Sequence, residues 1–437
     1  MKKDALLTII AEWLEEWEIP SLVTRNQHAI NPLERKRILA IVGPRRAGKT
    51  YFMYQLIRSL LEHNEYSKED ILFLDFEDYR LGKFTGDPID EILTAFNQVA
   101  GRYPRFLFFD EIQNLPNWNR VLRTLHNRRQ FNIIVSGSNS KLLSSEIASE
   151  LRGRYDDILM LPFSFQEYLR YRNISYTAAS IRTAARGKIL AAFDDYMKHG
   201  GFPEVSMAGN ETEQRKLLKS YFKTIFYRDI LERYNIKARH LLDALMNDIL
   251  ENYAGIFSIT RFEKQLKSNG LPGSKRTIAN YLHYLVEAFF VIGNEKFSFS
   301  SRQRIMNPKK TYLTDTGFAA LGRPFTENRG RIIENTVAIE LFRRGMETFY
   351  FRNRNECDFI IKQGRTPTHA VQVCWEITSR NEKREIAGLA EACDFLGLTS
   401  GIILTYDQEE DRTIDGLQIS VLPVWKWLLN DQTGKIT

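Results

Sequence analysis

The residues that could do chemistry in this chain begin with GPRRAGKT at 43–50, where Gly43 and Gly48 enclose four residues and Lys49 and Thr50 follow at once. A loop that wraps phosphate must turn successive N–H groups inward, a conformation a Cβ obstructs and glycine permits. Lys49 would reach the β- and γ-phosphates of a nucleotide and the Thr50 hydroxyl would hold Mg²⁺. The pattern reads as an ATP cradle of Gly43, Pro44, Arg45, Arg46, Ala47, Gly48, Lys49, Thr50 and Tyr51.

Mg²⁺ needs a carboxylate and hydrolysis needs a group to polarise water. RFLFFDEIQ (105–113) supplies both at the end of an apolar run, with Asp110 to hold the metal through water and Glu111 to act on the attacking water. ILFLDFED (71–78) presents Asp75, Glu77 and Asp78 as rival acids. The later stretch is preferred because its two acids are adjacent, follow an uninterrupted apolar run and precede a helix. FNIIVSGSNS (131–140) ends in small polar residues, so Ser138 or Asn139 would meet the γ-phosphate or the water; a plain polar turn is the alternative.

These groups can meet only if a strand ends where the phosphate loop begins and a helix starts where it stops. RILAIVG (37–43) is an apolar run of strand length, and YFMYQLIRSLLEH (51–63) repeats its apolar residues at helical spacing. The chain has 437 residues, enough for two to four domains. No apolar run nears the ~20 residues of a membrane span, and AFFVIG (288–293) is bounded by Glu287 and Asn294. MKKDALLTIIAEWLEEWEIP reads as an amphipathic helix, since acids stand where a signal cleavage site belongs. A cytoplasmic protein without membrane contact is expected. Cys357, Cys374 and Cys393 form no metal or disulfide pattern. Of the net charge of +7, residues 215–330 carry +10, so a polyanionic partner is expected there.

GPRRAGKT, LDFED, FFDEIQNLPNW, IIVSGSNS, LRGRYDDILMLPFSFQEYL and HGGFPEV, in this order, resemble the prokaryotic AAA-like ATPases of the archaeal ATPase group, relatives of the signal-transduction NTPases. The resemblance covers most of the chain and implies binding and hydrolysis of ATP. It gives Ser138 or Asn139 the sensor 1 role of AAA-type ATPases. It also makes Arg154, with Arg152 in reserve, the arginine that reaches a neighbouring subunit's site in a homo-oligomeric ring. A surface ion pair is the rival reading of that arginine. Gly201 and Pro203 match a GxP-like motif near the nucleotide base, though GGFP is also a turn.

Residues 210–300 read as helices. FSITRFEKQL, the turn SNGLPG and SKRTIANYLHYLVEAFFVIGN have helix-turn-helix spacing, with Ser274 capping the second helix. FSFSSRQRIMNPKKTYLTDTG then reads as a β-hairpin wing. A basic wing would grip DNA through Arg302, Arg304, Lys309 and Lys310, with Lys275 and Arg276 at the start of the recognition helix. A lid or protein-docking surface is the alternative. Beyond about 325 strands and helices alternate, and Glu334, Asp358 and THAVQVCWEIT follow the order of a PD-(D/E)xK nuclease core. Gln372-Val373-Cys374 stands at the ExK position, so a second carboxylate and the lysine are missing and no cleavage is expected.

The fold expected is therefore α/β: a P-loop AAA-like ATPase domain over 1–205, a helical and winged-helix domain over 206–325, and a nuclease-like α/β domain over 326–437. The leading function is an oligomeric Mg²⁺-dependent ATPase coupled to DNA, as in a helicase or translocase. The alternatives are a nucleotide-controlled switch that docks a protein partner in its ATP or ADP state and, last, a nuclease-linked ATPase.

Overall fold

The computed structural model describes residues 3–26, 37–62, 65–82, 84, 86–138, 153–177, 179–322 and 328–430. Two compact units divide between Leu161 and Pro162. The break falls earlier than residue 205 because the helix Ala184–His199 and the following glycines are tied to later sequence. The Thr316 hydroxyl donates to the Tyr196 carbonyl at 3.1 Å, and the Gly201 N–H donates to the Asp315 carboxylate at 2.8 Å.

In the first unit the strands β1 (Ile38–Val42), β2 (Ile71–Asp75), β3 (Phe106–Asp110), β4 (Asn132–Gly137) and β5 (Tyr155–Leu159) form one sheet in the order β2-β3-β4-β1-β5. Every pairing in it is parallel. β1 and β3 are buried at every position, which is why they read as unbroken apolar runs rather than alternating ones. The helix Lys49–Glu62 buries Phe52, Met53, Leu56, Ile57 and Leu60, one apolar stripe at 3–4 residue spacing. The expected N-terminal amphipathic helix is present at Lys3–Ala11, and a π-helical turn at Glu12–Glu16 seats the buried Trp13. The Trp13 indole N–H donates to the Ile71 carbonyl at 2.7 Å, so burying this large ring leaves no polar atom unsatisfied. Because β4 lies between β1 and β3, the loop leaving β1 and the acids leaving β3 stand on either side of the β4 terminus.

Among the described residues the second unit has nine strands: β6 (Gly255–Phe257), β7 (Val291–Lys296), β8 (Lys309–Leu313), β9 (Glu347–Arg352), β10 (Glu356–Gln363), β11 (Thr366–Val373), β12 (Ser400–Thr405), β13 (Glu410–Ile414) and β14 (Leu417–Pro423). Their order is β13-β14-β12-β11-β10-β9-β7-β8-β6. β6, β8 and β7 pair antiparallel behind the helices Arg239–Asn252, Ile259–Ser268 and Lys275–Glu287. Ser274 caps the last of these as expected, its hydroxyl accepting the Thr277 N–H at 3.1 Å. Two features depart from the sequence reading. The connection between β7 and β8 holds a helix, Ser301–Met306, instead of a tight hairpin turn. In addition, β7 pairs parallel with β9, so the strands of 206–325 and 326–437 belong to one continuous sheet.

The three cysteines are buried and free. Among the described residues no helix is long and apolar enough to cross a membrane.

Candidate nucleotide site

The phosphate loop is shaped by backbone constraints. Gly43 N–H donates to the Gly137 carbonyl at 3.3 Å, and a Cβ at Gly43 would stand 1.9 Å from the Met160 carbonyl oxygen. Only glycine passes between these two strand ends. Arg46 and Gly48 adopt φ of +63° and +93°, which reverses the loop into the first turn of the helix beginning at Lys49. Tyr51 is half exposed on that turn.

Within the loop Lys49 is buried, donates to the Pro44 carbonyl at 3.1 Å and lies 3.4 Å from Glu111 Oε1. The Thr50 hydroxyl donates to Asp110 Oδ2 at 2.5 Å, and Asp110 Oδ1 accepts from the Ser136 hydroxyl of β4. Ser136 in turn accepts the Glu111 N–H at 3.0 Å, so β4 braces both acids. Gln113 donates to Glu111 Oε2, and its amide lies 3.4 Å from the Ser138 hydroxyl. Four expected groups, Lys49, Thr50, Asp110 and Glu111, therefore converge, with buried Ser138 beside them. Asn139 and Arg152 lie outside the described residues.

The electrostatics separate the two acids. Burial pushes the Asp110 carboxyl above its ordinary value, against the opposing hydroxyls of Ser136 and Thr50. Burial would raise Glu111 as well, but the Lys49 ammonium and the Gln113 amide hold it down to about 2. Glu111 is thus an anion at neutral pH, held by a left-handed backbone at φ +49°. Of the rival acids, Asp75 pairs in register with Asp110, and burial raises it to about 6. Glu77 is taken by Arg45 at 2.6 Å, while Asp78 caps the turn Tyr79–Leu81 and binds Arg80.

The donor set fits a hydrated Mg²⁺ beside a triphosphate. A hydroxyl and a carboxylate of the right pair touch at the helix start, and a buried ammonium faces the same loop. Thr50 and Asp110 would hold the metal.

Sequence reading missed Arg25. Its guanidinium is buried and donates to the Ala47 carbonyl at 2.7 Å and the Leu161 carbonyl at 2.6 Å, while its N–H binds Gln55 at 2.9 Å. This ties the phosphate loop to the segment before β1. A lone arginine in SLVTRNQ carries no spacing signal that would have found it.

Arg154 sits at the entry to β5, where its guanidinium donates to Asn127 at 2.7 Å. Tyr155 registers with Ile38, and Leu159 with Val42. Arg154 and its own phosphate loop are therefore at opposite ends of the sheet, roughly 16 Å apart along the strands.

In the second unit, Gly201 and Pro203 have packing roles. A Cβ at Gly201 would lie 2.4 Å from the Phe163 carbonyl oxygen, and Pro203 opens the helix Pro203–Met207. Burial raises Asp315, which accepts from Gly201 and Gly317, to about 6. Among the basic candidates, Lys275, Arg276 and Arg302 are exposed, Arg304 donates to the Ser298 carbonyl at 2.7 Å, and Lys309 pairs with Glu295 at 3.0 Å. Lys310 is a correction. It is 3% exposed, and its ammonium lies 2.8 Å from each of Glu334, Glu356 and Asp358. Strand alternation turns Lys310 inward where Lys309 turns outward, so it cannot contact DNA. The same cluster corrects the view that Glu334 and Asp358 lack a lysine. β8 delivers one, while Gln372 binds Glu385 at 2.8 Å.

A family profile described as an AAA domain matches residues 35–169, and one described as a Domain of unknown function (DUF8612) matches residues 190–327. An uncharacterised protein of Methanocaldococcus jannaschii, MJ1544, is 35% identical over 404 residues, covering 90% of this chain and 88% of its own length. An uncharacterised protein of Haemophilus influenzae is 28% identical over 396 residues, covering 90% and 94%. Among solved structures, the Walker-type ATPase PABY2304 of Pyrococcus abyssi is similar at 15% identity and a TM-score of 0.41, over 67% of this chain and 92% of that one.

Proposed function

The chain belongs to the family of the Methanocaldococcus jannaschii protein MJ1544 and carries an AAA domain, and from that premise we propose that it is a cytoplasmic Mg²⁺-dependent ATPase acting as a homo-oligomer and coupled to DNA. The observation that carries the hydrolytic part is the convergence of Lys49, Thr50, Asp110 and Glu111 on one loop. ATP binds through the loop N–H groups and Lys49. Thr50 and Asp110 would hold Mg²⁺, which would supply positive charge to the phosphates. Glu111, ionised and braced by Gln113, orients the attacking water and draws on its proton. Ser138, whose hydroxyl bonds the Glu111 carboxylate, would help position that water.

Arg154 supports the oligomer. It cannot serve its own phosphate loop from the far end of the sheet, so a role in phosphoryl transfer belongs to a neighbour's site. The order helix, strand, two helices and then two strands joined through the short helix Ser301–Met306 in 239–313 supports a winged-helix reading of the middle segment. A nucleotide-controlled switch docking a protein partner is the second reading; the single sheet shared by 206–325 and 326–437 favours it by making that region one body to present. Phosphate release from ATP, with Mg²⁺ and with EDTA, tests the proposal in the wild type and in Asp110→Asn. Release that needs Mg²⁺ and is lost in Asp110→Asn is expected; metal-independent release would refute it.

A further inference from the structure

A groove of about 650 Å³ opens in the helical part of the second unit. The helix Glu211–Thr224 brings Lys219 and Lys223 to it, one turn apart. The π-helical continuation Ile225–Glu232 adds Phe226 and Tyr227, the connection adds Lys237, and the first turn of the helix Arg239–Asn252 adds Arg239 and His240. Among the described lining residues Asp243 is the one carboxylate.

Three observations distinguish this surface. Lys219, Lys223 and Lys237 form no ion pair among the described residues, unlike Lys198, which pairs with Glu211, and Lys267, which pairs with Glu263. Their mutual repulsion is left for an outside anion to relieve. Tyr227 is 37% exposed, and the Arg239 guanidinium stacks 4.9 Å from its ring centroid while donating to its hydroxyl. That fixes the guanidinium yet uses one of its five N–H donors. Finally, every cation is exposed and the set comes from three successive segments. A single small anion is held by converging buried donors; spread, solvated charges beside an aromatic suit a chain of phosphates with bases to stack.

We propose that this groove binds the phosphate backbone of a single-stranded nucleic acid. The inference takes its partner class from the reading of the chain as a DNA-coupled ATPase, but it relocates the contact away from the β7–β8 connection. It places Lys219, Lys223, Lys237 and Arg239 on phosphates and Tyr227 against a base.

The test is fluorescence anisotropy of the full chain with a labelled strand of about 20 nucleotides over a salt series. The wild type should bind, with affinity falling steeply as salt rises. Lys219→Glu with Lys223→Glu, and separately Lys237→Glu with Arg239→Glu, should each weaken binding about tenfold or more and flatten the salt dependence. Tyr227→Ala should weaken binding with the salt dependence unchanged. Charge reversal of Arg302 and Lys309 should change it less than about twofold. Circular dichroism confirms that each variant is folded. No binding by the wild type, binding unaltered in the groove variants, tighter binding of duplex than of single strand, or displacement of the strand by millimolar inorganic phosphate at fixed ionic strength would each overturn the proposal. Basal ATP hydrolysis, measured without nucleic acid, should be unchanged in every groove variant. Its absence from the wild type would sink the ATPase reading and leave the binding result standing.

Discussion

Lys49 Nζ lies 3.4 Å from Glu111 Oε1, so the ammonium that would meet the terminal phosphate neutralises the acid that would act on water. Arrival of a γ-phosphate gives Lys49 a second anion and loosens its hold on Glu111. Lys49→Ala should therefore do two things. It removes the phosphate-facing charge, which abolishes tight ATP binding. It also leaves Glu111 buried without its cation, so its carboxyl rises from about 2. A depressed carboxyl contributes stability that is present above its ordinary value and lost as pH falls, so the variant's loss of melting temperature should be full at neutral pH and shrink as pH falls from 4.5 toward 2. A loss independent of pH would show that the pair is not coupled.

Arg25 predicts a defect at a distance in sequence. Arg25→Met removes two guanidinium bonds to backbone carbonyls, each worth ~1.5–3 kcal/mol, and frees the Ala47 end of the loop. The expected result is a raised KM for ATP with a smaller change in kcat, read from initial rates. An unchanged KM would contradict the bracing role.

Lys310→Met tests the buried cluster of the second unit. Glu334 is already raised to about 7 by burial and the Asp358 charge, with Lys310 opposing. Without Lys310 the buried Glu334 and Asp358, with Glu356 beside them, face one another uncompensated, a cost of ~3–5 kcal/mol. The sign follows from Glu334: a raised folded-state pKa leaves stability intact at low pH and removes it as pH climbs. Melting at pH 5 should show a small deficit and at pH 8 a large one. The reverse order would mean that Lys310, not the carboxylates, governs the cluster.

Much of this was legible in the sequence because it lies in local patterns. The unbroken runs 38–42 and 106–110 are buried parallel strands, and Ser274 caps a helix. Asp110 and Glu111 could be preferred over Asp75 because adjacent acids follow an apolar run. Tertiary register was not legible. Whether Lys309 or Lys310 faces water depends on which face of β8 packs inward, and the lysine beside Asp358 comes from a strand far away in sequence. The glycines of GGFP owe their place to the Phe163 carbonyl and Asp315, which no spacing reveals.

Arg154→Ala should lower turnover by ~10³-fold or more if the arginine acts on a neighbour's phosphate, against almost nothing for an exposed pair. Mixing Arg154→Ala with Lys49→Ala subunits should restore part of the activity. Wild-type hydrolysis that is independent of protein concentration, from a monomer, would contradict action in trans.

The most direct measurement is ATP turnover by Glu111→Gln alongside nucleotide binding by the same protein. The amide keeps the shape and the Gln113 contact but cannot take a proton, so turnover should fall ~10²- to 10⁴-fold while ATP binding persists. Turnover at the wild-type rate with ATP bound would contradict the assignment and move the catalytic role to Asp75, the acid in register beside Asp110.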